Sequence, residues 1–217
     1  MFQSGAMATE SPDPLLEERA RRIIETTIEL AEKGGFEAVR LRDVAAHAGV
    51  AMGTLYRRFR SKEDLLVAAL ESETRALEER INARPPMGIR ATDRVLAYFD
   101  LQTRGMLRRP NLSRAMLRAT AAGEPALAEK LGLFHEMMGR MTVAVLRGMP
   151  GDGSGSSHEA GASSVITERE SLIATVLNQI WFAVMLSWAG GLEDQASINE
   201  RMRAAIELIL DAAERDS

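Results

Sequence analysis

The 217-residue sequence has no cysteine, which removes disulfides, thiolate nucleophiles, CxxC redox chemistry and sulfur-ligated zinc from consideration. Histidine is almost as scarce. His47, His135 and His158 are scattered without ligand partners at metal spacing, so no metal site is expected. Also missing are a Ser-His-Asp order, a P-loop, a GxGxxG turn and an HExxH helix, so neither a catalytic centre nor a cofactor is expected. There is no secretory signal pattern, which makes the cytoplasm the expected compartment. The leading MFQSGA before Met7 reads as a protease-site and cloning scar, and residues 1–12 are set aside as scar and disordered N-terminus. The rest has ordinary globular composition, 46% hydrophobic and 27% charged, in a chain long enough for a small domain joined to a larger one.

A net charge of −4 speaks against a polyanionic partner until the charges are placed along the chain. Between Phe36 and Lys62 stand Arg40, Arg42, Arg57, Arg58, Arg60 and Lys62 against Glu37 and Asp43, so that segment carries +4 and the remainder −8. A basic head on an acidic body is a footprint of local nucleic-acid binding.

No stretch alternates as a strand would. Asp13-Pro14 predicts a helix start, Ala20, Ile24, Ile28 and Ala31 recur at helical spacing, and Gly34 stops the helix. Short helices follow over Leu41–Ala48 and Val50–Phe59 with Gly49 between them. A longer one opens at Ser61, where Asp64 three residues on makes a capping-box-like start. Further helices are predicted over about 92–107, 110–122, 125–147, 167–189 and 192–214. The Gly- and Ser-rich stretch 148–166 reads as a flexible loop. Leu172–Ala189 has the length of a membrane span, but Thr175, Asn178, Gln179 and Ser187 interrupt it, which favours a helix buried in a bundle or dimer.

Two short helices joined by a glycine turn form a helix-turn-helix, whose second helix enters the major groove of DNA. Leu55 and Phe59 lie one turn apart and face inward, which turns Gly53, Thr54, Tyr56 and Arg57 outward, with Met52 and Arg58 on the flanks. Thr54 suits a hydrogen bond or a thymine methyl, and Arg57 carries the planar fork that matches guanine. Tyr56 suits a phosphate, as does Lys62 beside the amides of the next helix start. Arg40 and Arg42 are placed to grip the opposite backbone. Taken singly, such residues are more often a solvated face. The glycine turn and the local charge together favour DNA.

In the order GGFEAVRLRDVAAHAGVAMGTLYRRFRSKEDLL, over about Ile24 to Leu70, the chain resembles the N-terminal signature of the tetracycline-repressor (TetR) family. The resemblance implies Tyr56 and Lys62 as phosphate contacts and Gly53, Thr54 and Arg57 as recognition-helix positions. Arg40 and Ala51 depart from it, standing where many members place a Ser or Thr cap; cap loss typically costs about 1 kcal/mol. It further implies an all-α protein with a three-helix helix-turn-helix head at 13–60. The larger helical domain at 61–217 would bind a ligand and dimerise, so that a homodimer blocks a palindromic operator in double-stranded DNA.

For the dimer, the wide apolar surface of the penultimate helix and one face of the last nominate Ile173, Val176, Leu177, Ile180, Val184, Met202, Ile206 and Ile209. For the ligand, flexible methionines and nearby aromatics nominate Phe99, Met106, Met116, Phe134, Met137, Met138, Met141, Trp181, Met185 and Trp188 around a bulky hydrophobic effector. VAMGTLYRRFRSKEDLLVAAL, RRPNLSRAM and IWFAVMLSW are similar to the actinobacterial repressors of cholesterol catabolism (KstR). That narrower resemblance implies a sterol or acyl coenzyme A thioester whose phosphates meet Arg108, Arg109 or Arg114. The alternative is a helical lipid- or thioester-binding protein without specific DNA binding.

Overall fold

The computed structural model describes residues 14–148 and 165–215; the stretch 1–12 read as a scar, the expected cap Asp13 and nearly all of the expected loop 148–166 lie outside the described residues. Those residues form helices α1 (Pro14–Ala38), α2 (Leu41–His47), α3 (Met52–Arg58), α4 (Lys62–Ala83), α5 (Ala91–Leu107), α6 (Pro110–Ala121), α7 (Ala128–Arg147), α8 (Glu168–Ala189) and α9 (Gln195–Arg215), with no strand among them. The molecule is all-α.

Local chemistry sets the helix ends. α1 loses helical geometry at Gly34 and Gly35, and Gly35 has φ 67° and ψ −161°, a region open essentially to glycine alone. Gly49 turns the chain between α2 and α3 at φ 64°. Neither Arg40 nor Ala51 supplies a side-chain cap to the helix that follows it. Ser61 does cap α4, accepting from Asp64 N–H at 3.0 Å, while the Asp64 carboxylate reaches back to Arg60 N–H at 3.0 Å. Thr167 and Glu170 make a full capping box at α8. Several boundaries differ from the sequence reading: α1 continues past its kink at Gly34 to Ala38, and α3 spans Met52–Arg58 rather than Val50–Phe59. Pro125–Leu127 is a separate 3₁₀ turn before α7. The last helix starts at Gln195 because Asp194 holds Ser197 N–H at 2.9 Å, which makes Asp194 the cap rather than a helical residue.

Two cores result. In the head, Ile23, Ala31, Phe36, Val39, Val44, Leu55 and Phe59 pack around Leu65, Leu66 and Ala69 of α4 and Leu112, Ala115, Met116 and Ala119 of α6. In the body, Leu77 and Ile81 of the same α4 join Val95, Tyr98, Phe99, Phe134, Met138, Leu177, Trp181, Met185, Ile198 and Ile206. A division at residues 60 and 61 therefore cuts through one packed unit. The first half of α4 belongs to the head core and its second half to the body, because its apolar residues serve both. Each such side chain, fully buried, contributes about 1.5–3 kcal/mol.

Head and body are tied by polar contacts as well. Asn111 Nδ2 donates to the Glu32 carbonyl at 2.9 Å, and Glu32 Oε2 accepts from Leu112 N–H at 3.1 Å, so α1 caps the start of α6. α8 is long and apolar enough to cross a membrane, yet its inner side lies in the body core against α7 and α9. Asn178 is turned inward and donates to Thr142 Oγ1 on α7 at 2.9 Å, while Gln179 is exposed.

Candidate nucleic-acid interface and central cavity

The exposed side of α3 is built by what the other side must bury. Leu55 is fully buried and Phe59 nearly so, which leaves Gly53, Tyr56, Arg57 and Arg58 exposed and Thr54 half-buried on the outward side. A side chain added at Gly53 would meet nothing within 4 Å, so another molecule's backbone can approach this turn closely. Arg57 Nη2 donates to Thr54 Oγ1 at 3.3 Å, pairing the two expected base-reading groups across one helical turn. Met52 folds half-buried against the head core. Arg40 and Arg42 are exposed at the start of α2. His47 is also exposed, with Nδ1 2.8 Å from the Asp43 carbonyl one turn back.

Lys62 is placed differently from a free point charge. Its ammonium lies 3.9 Å from the centre of the Phe36 ring and 3.3 Å from Glu37 Oε2, and Arg118 approaches the same ring at 4.0 Å and the same carboxylate at 3.0 Å. The hydrogen bond from Lys62, more than the Arg118 charge, holds the Glu37 carboxyl below its ordinary pKa. A phosphate arriving at Lys62 must displace Glu37, an exposed partner that water readily replaces.

The second feature is a cavity of about 200 Å³ among α4, α5, α6, α7 and α8. Its apolar wall comprises Leu70, Leu77, Met106, Leu112, Met116, Leu117, Phe134, Met138, Trp181 and Phe182. Glu73, Thr74, Gln102, Ser113 and Thr120 add polar groups, and Arg80, Arg108 and Arg109 add positive charge. These three arginines are exposed, with Arg109 held 3.0 Å from Glu73.

Of the sequence-nominated ligand residues, Met106, Met116, Phe134, Met138 and Trp181 line this space. Phe99, Met141, Met185 and Trp188 are instead buried as body-core packing, and Met137 packs half-buried against that core. Arg114 is away from the cavity wall, stacked 4.6 Å from the Trp188 ring. The polar wall was missed from sequence, although one signal was present. Gln102 stands three, four and seven residues beyond Phe99, Tyr98 and Val95, a polar group on an otherwise apolar helix face.

The nominated dimer residues divide in the same way. Leu177, Val184, Met202 and Ile206 are buried inside the protomer's own core, so they are not available on its surface. Ile173, Val176, Ile180 and Ile209 are half-buried at the margin. The outward stripe of α8 is Leu172, Thr175, Gln179, Ala183 and Leu186, with Leu208 exposed on α9.

Among the described residues no group of three or more His, Asp or Glu is arranged to hold a metal ion.

Comparison with known proteins agrees with this architecture. Residues 23–69 match the bacterial regulatory proteins of the tetR family. The chain is 31% identical over 193 residues to the HTH-type transcriptional repressor KstR of Rhodococcus jostii, covering 89% of this chain and 83% of that protein. It is 30% identical over 194 residues to KstR of Mycobacterium tuberculosis, covering 89% and 81%. Among solved structures, a TetR transcriptional regulator from Rhodococcus sp. RHA1 superposes with a TM-score of 0.76 at 28% identity, covering 89% of this chain and 96% of that one. Thermus thermophilus FadR, a TetR-family repressor in complex with lauroyl-CoA, shares the fold with a TM-score of 0.66 at 19% identity, covering 88% and 93%. With the exposed side of α3 and the separate cores of head and body in view, the chain belongs to the tetR family of bacterial transcription regulators, DNA-binding proteins of the helix-turn-helix type, in a KstR-like group.

Proposed function

We propose that the protein is a homodimeric repressor that holds a roughly palindromic operator through α3 and lets go when a bulky apolar effector with an anionic end enters the central cavity. Leu112 and Met116 carry the proposal. Each lines the cavity, and each also belongs to the core of the head. A cavity of about 200 Å³ is below the ~300 Å³ from which small-molecule sites usually start. A bulky guest therefore has to push α6 and α4 outward, and those helices are the floor on which α1 rests, with α2 packed on α1 and α3 on α2.

A ligand shifts such an equilibrium only by its differential affinity for the two states. The expanded state is the one it prefers. Two heads joined through the outward stripes of α8 and α9 would present their recognition helices to major grooves about 34–36 Å apart. Any tilt of the floor disturbs that spacing. The apolar wall with Arg80, Arg108 and Arg109 beside it suits an acyl or steroid coenzyme A thioester, whose phosphates favour arginine. Lauroyl-CoA in the FadR relative supports that class.

The test is fluorescence anisotropy with a labelled duplex from the promoter of the protein's own gene, at moderate salt, titrated with lauroyl-CoA. The expected result is sequence-dependent binding, reversed by the thioester but not by free coenzyme A. Binding of the thioester without sequence-dependent DNA binding would leave a helical thioester-binding protein. Specific DNA binding indifferent to acyl thioesters and to steroid thioesters would remove the effector class.

A further inference from the structure

Among the enclosed side chains of the cavity wall, as distinct from the exposed arginines at its edge, the hydrogen-bond donors are accounted for, with one exception. Thr74 Oγ1 donates to the Leu70 carbonyl at 2.8 Å, Ser113 Oγ to Met106 at 2.7 Å and Thr120 Oγ1 to Met116 at 2.9 Å. Trp181 Nε1 donates to Thr103 Oγ1 at 3.0 Å. Gln102 is 3% exposed and lines the same wall, and no acceptor among the described residues reaches its Nε2. That atom has no open surface of its own, so a turn of the terminal amide about its soft last torsion presents it to the cavity. Buried amide N–H groups are nearly always paired, because leaving one unmade forfeits its bond to water for nothing in return. The hydroxyl neighbours retain acceptor lone pairs but have no proton left to offer, so the wall as a whole presents a single uncommitted interior donor.

We propose that Gln102 is the specificity-determining residue of the effector site, donating from Nε2 to a carbonyl oxygen on the buried part of the ligand. This rests on the effector reading above and narrows it, since a hydrocarbon guest without a carbonyl would enclose the donor unpaired. The charges and the amide divide the work. Arg80, Arg108 and Arg109 are exposed and select an anionic end, whereas Gln102 is enclosed and selects an oxygen within the apolar body or at its junction with that end. Two sources supply the same carbonyl chemistry: the thioester group itself, or an oxo substituent on the hydrophobic portion.

Three probes separate them: lauroyl-CoA, the chain-matched thioether dodecyl-CoA, and an oxo-substituted dodecyl thioether of coenzyme A. Binding is followed by isothermal titration and by Trp181 emission, since that indole lines the cavity. The wild type should bind at least one carbonyl-bearing probe about ten- to a hundredfold more tightly than plain dodecyl-CoA. Preference for lauroyl-CoA places the thioester at Gln102, and preference for the oxo thioether places a body carbonyl there. In Gln102→Met, and in Gln102→Leu as a second apolar variant, the ratio should collapse toward one. Because that ratio compares ligands on one protein, a change in overall stability does not imitate it. Equal wild-type affinity for all three probes, or an unchanged ratio in both variants, overturns the role of Gln102 while leaving a thioester-responsive repressor intact. No binding of any probe overturns this inference, and if a steroid thioester of coenzyme A also fails to bind, the effector reading falls with it.

Discussion

Lys130 on α7 donates to Asp64 in the first turn of α4, where Asp64 is buried and also accepts from Arg60 N–H. The same lysine lies 5.8 Å from the Phe59 ring centre. A wall helix of the cavity is thus tied to the last turn of the DNA-binding head. Removing the buried carboxylate strands Arg60 N–H and the ammonium together, so Asp64→Ala is expected to cost about 2 kcal/mol. A double-mutant cycle with Lys130→Ala in urea should give a coupling of about 1 kcal/mol, tempered because the lysine is 38% exposed. Strictly additive single effects would show that the tie contributes nothing.

Arg57 and Lys62 should differ in kind when tested on operator DNA. Arg57 is exposed with its guanidinium against Thr54, so Arg57→Ala should relax base preference, at about 1–3 kcal/mol for the position it reads. Lys62→Ala should weaken all sequences alike and lower the salt slope by about one. Glu37 occupies Lys62 and Arg118 in the free protein. Glu37→Gln should therefore tighten DNA binding by about two- to fivefold at low salt, an effect that fades as salt rises. Anisotropy across a salt series with operator and scrambled duplexes measures all three, and equal behaviour of Arg57→Ala and Lys62→Ala would remove the division of roles.

The helices and the outward side of α3 were legible because period, glycine and capping chemistry are local. Leu55 and Phe59 face inward on any helix of that register. The cavity was not legible residue by residue. Met138 on the wall and Met141 in the packed core lie on one apolar face of α7, and hydropathy does not say whether a neighbour fills the space beyond each. Leu177 and Ile206 illustrate the same limit, since an apolar helix face is equally suited to its own core and to a second copy. Gln102 was hidden for the opposite reason. Polarity alone points a side chain toward solvent, whereas the fold leaves Gln102 3% exposed on the cavity wall.

Gly34 and Gly35 kink α1 by different means, and substitution should expose the difference. A Cβ at Gly35 meets nothing within 4 Å, so Gly35→Ala is penalised only by its backbone at φ 67° and ψ −161°, about 1–3 kcal/mol. A Cβ at Gly34 would lie 2.7 Å from Ala38 Cβ, a steric conflict in an otherwise permitted conformation. Differential scanning calorimetry should find both variants less stable than wild type. Since the kink sets the approach of Phe36 and Val39 to the head core, operator affinity should fall with stability. A neutral Gly35→Ala would mean that the turn relaxes at no cost.

Glu170 should make the protein selectively sensitive to acid. Its carboxylate accepts from Arg147 Nε at 2.7 Å and Nη2 at 2.8 Å, and from Thr167 N–H at 2.9 Å and Oγ1 at 2.8 Å. The Arg147 hydrogen bond is the main cause that brings its pKa down to about 2 from an ordinary 4.5, with Thr167 adding to it. A pKa lower in the folded state than in the unfolded chain means that the unfolded chain takes up the proton first. The stabilisation is therefore complete above about pH 5 and disappears as pH falls from about 4.5 toward 2. Linkage sets an upper value of about 3 kcal/mol, and partial exposure of the pair reduces it to about 1–2. Glu170→Gln should be less stable than wild type by that amount at pH 7, and the gap should narrow below about pH 4.5, with most of it gone by pH 2.5 and closure only below about pH 2, in urea titrations followed by circular dichroism. Arg147→Met should remove the same acid-labile increment, because the guanidinium and not the helix start alone holds the carboxylate charged. A gap between Glu170→Gln and wild type that stays constant from pH 7 to pH 2.5 would mean that this bridge, which joins the end of α7 to the start of α8, adds no acid-sensitive stability.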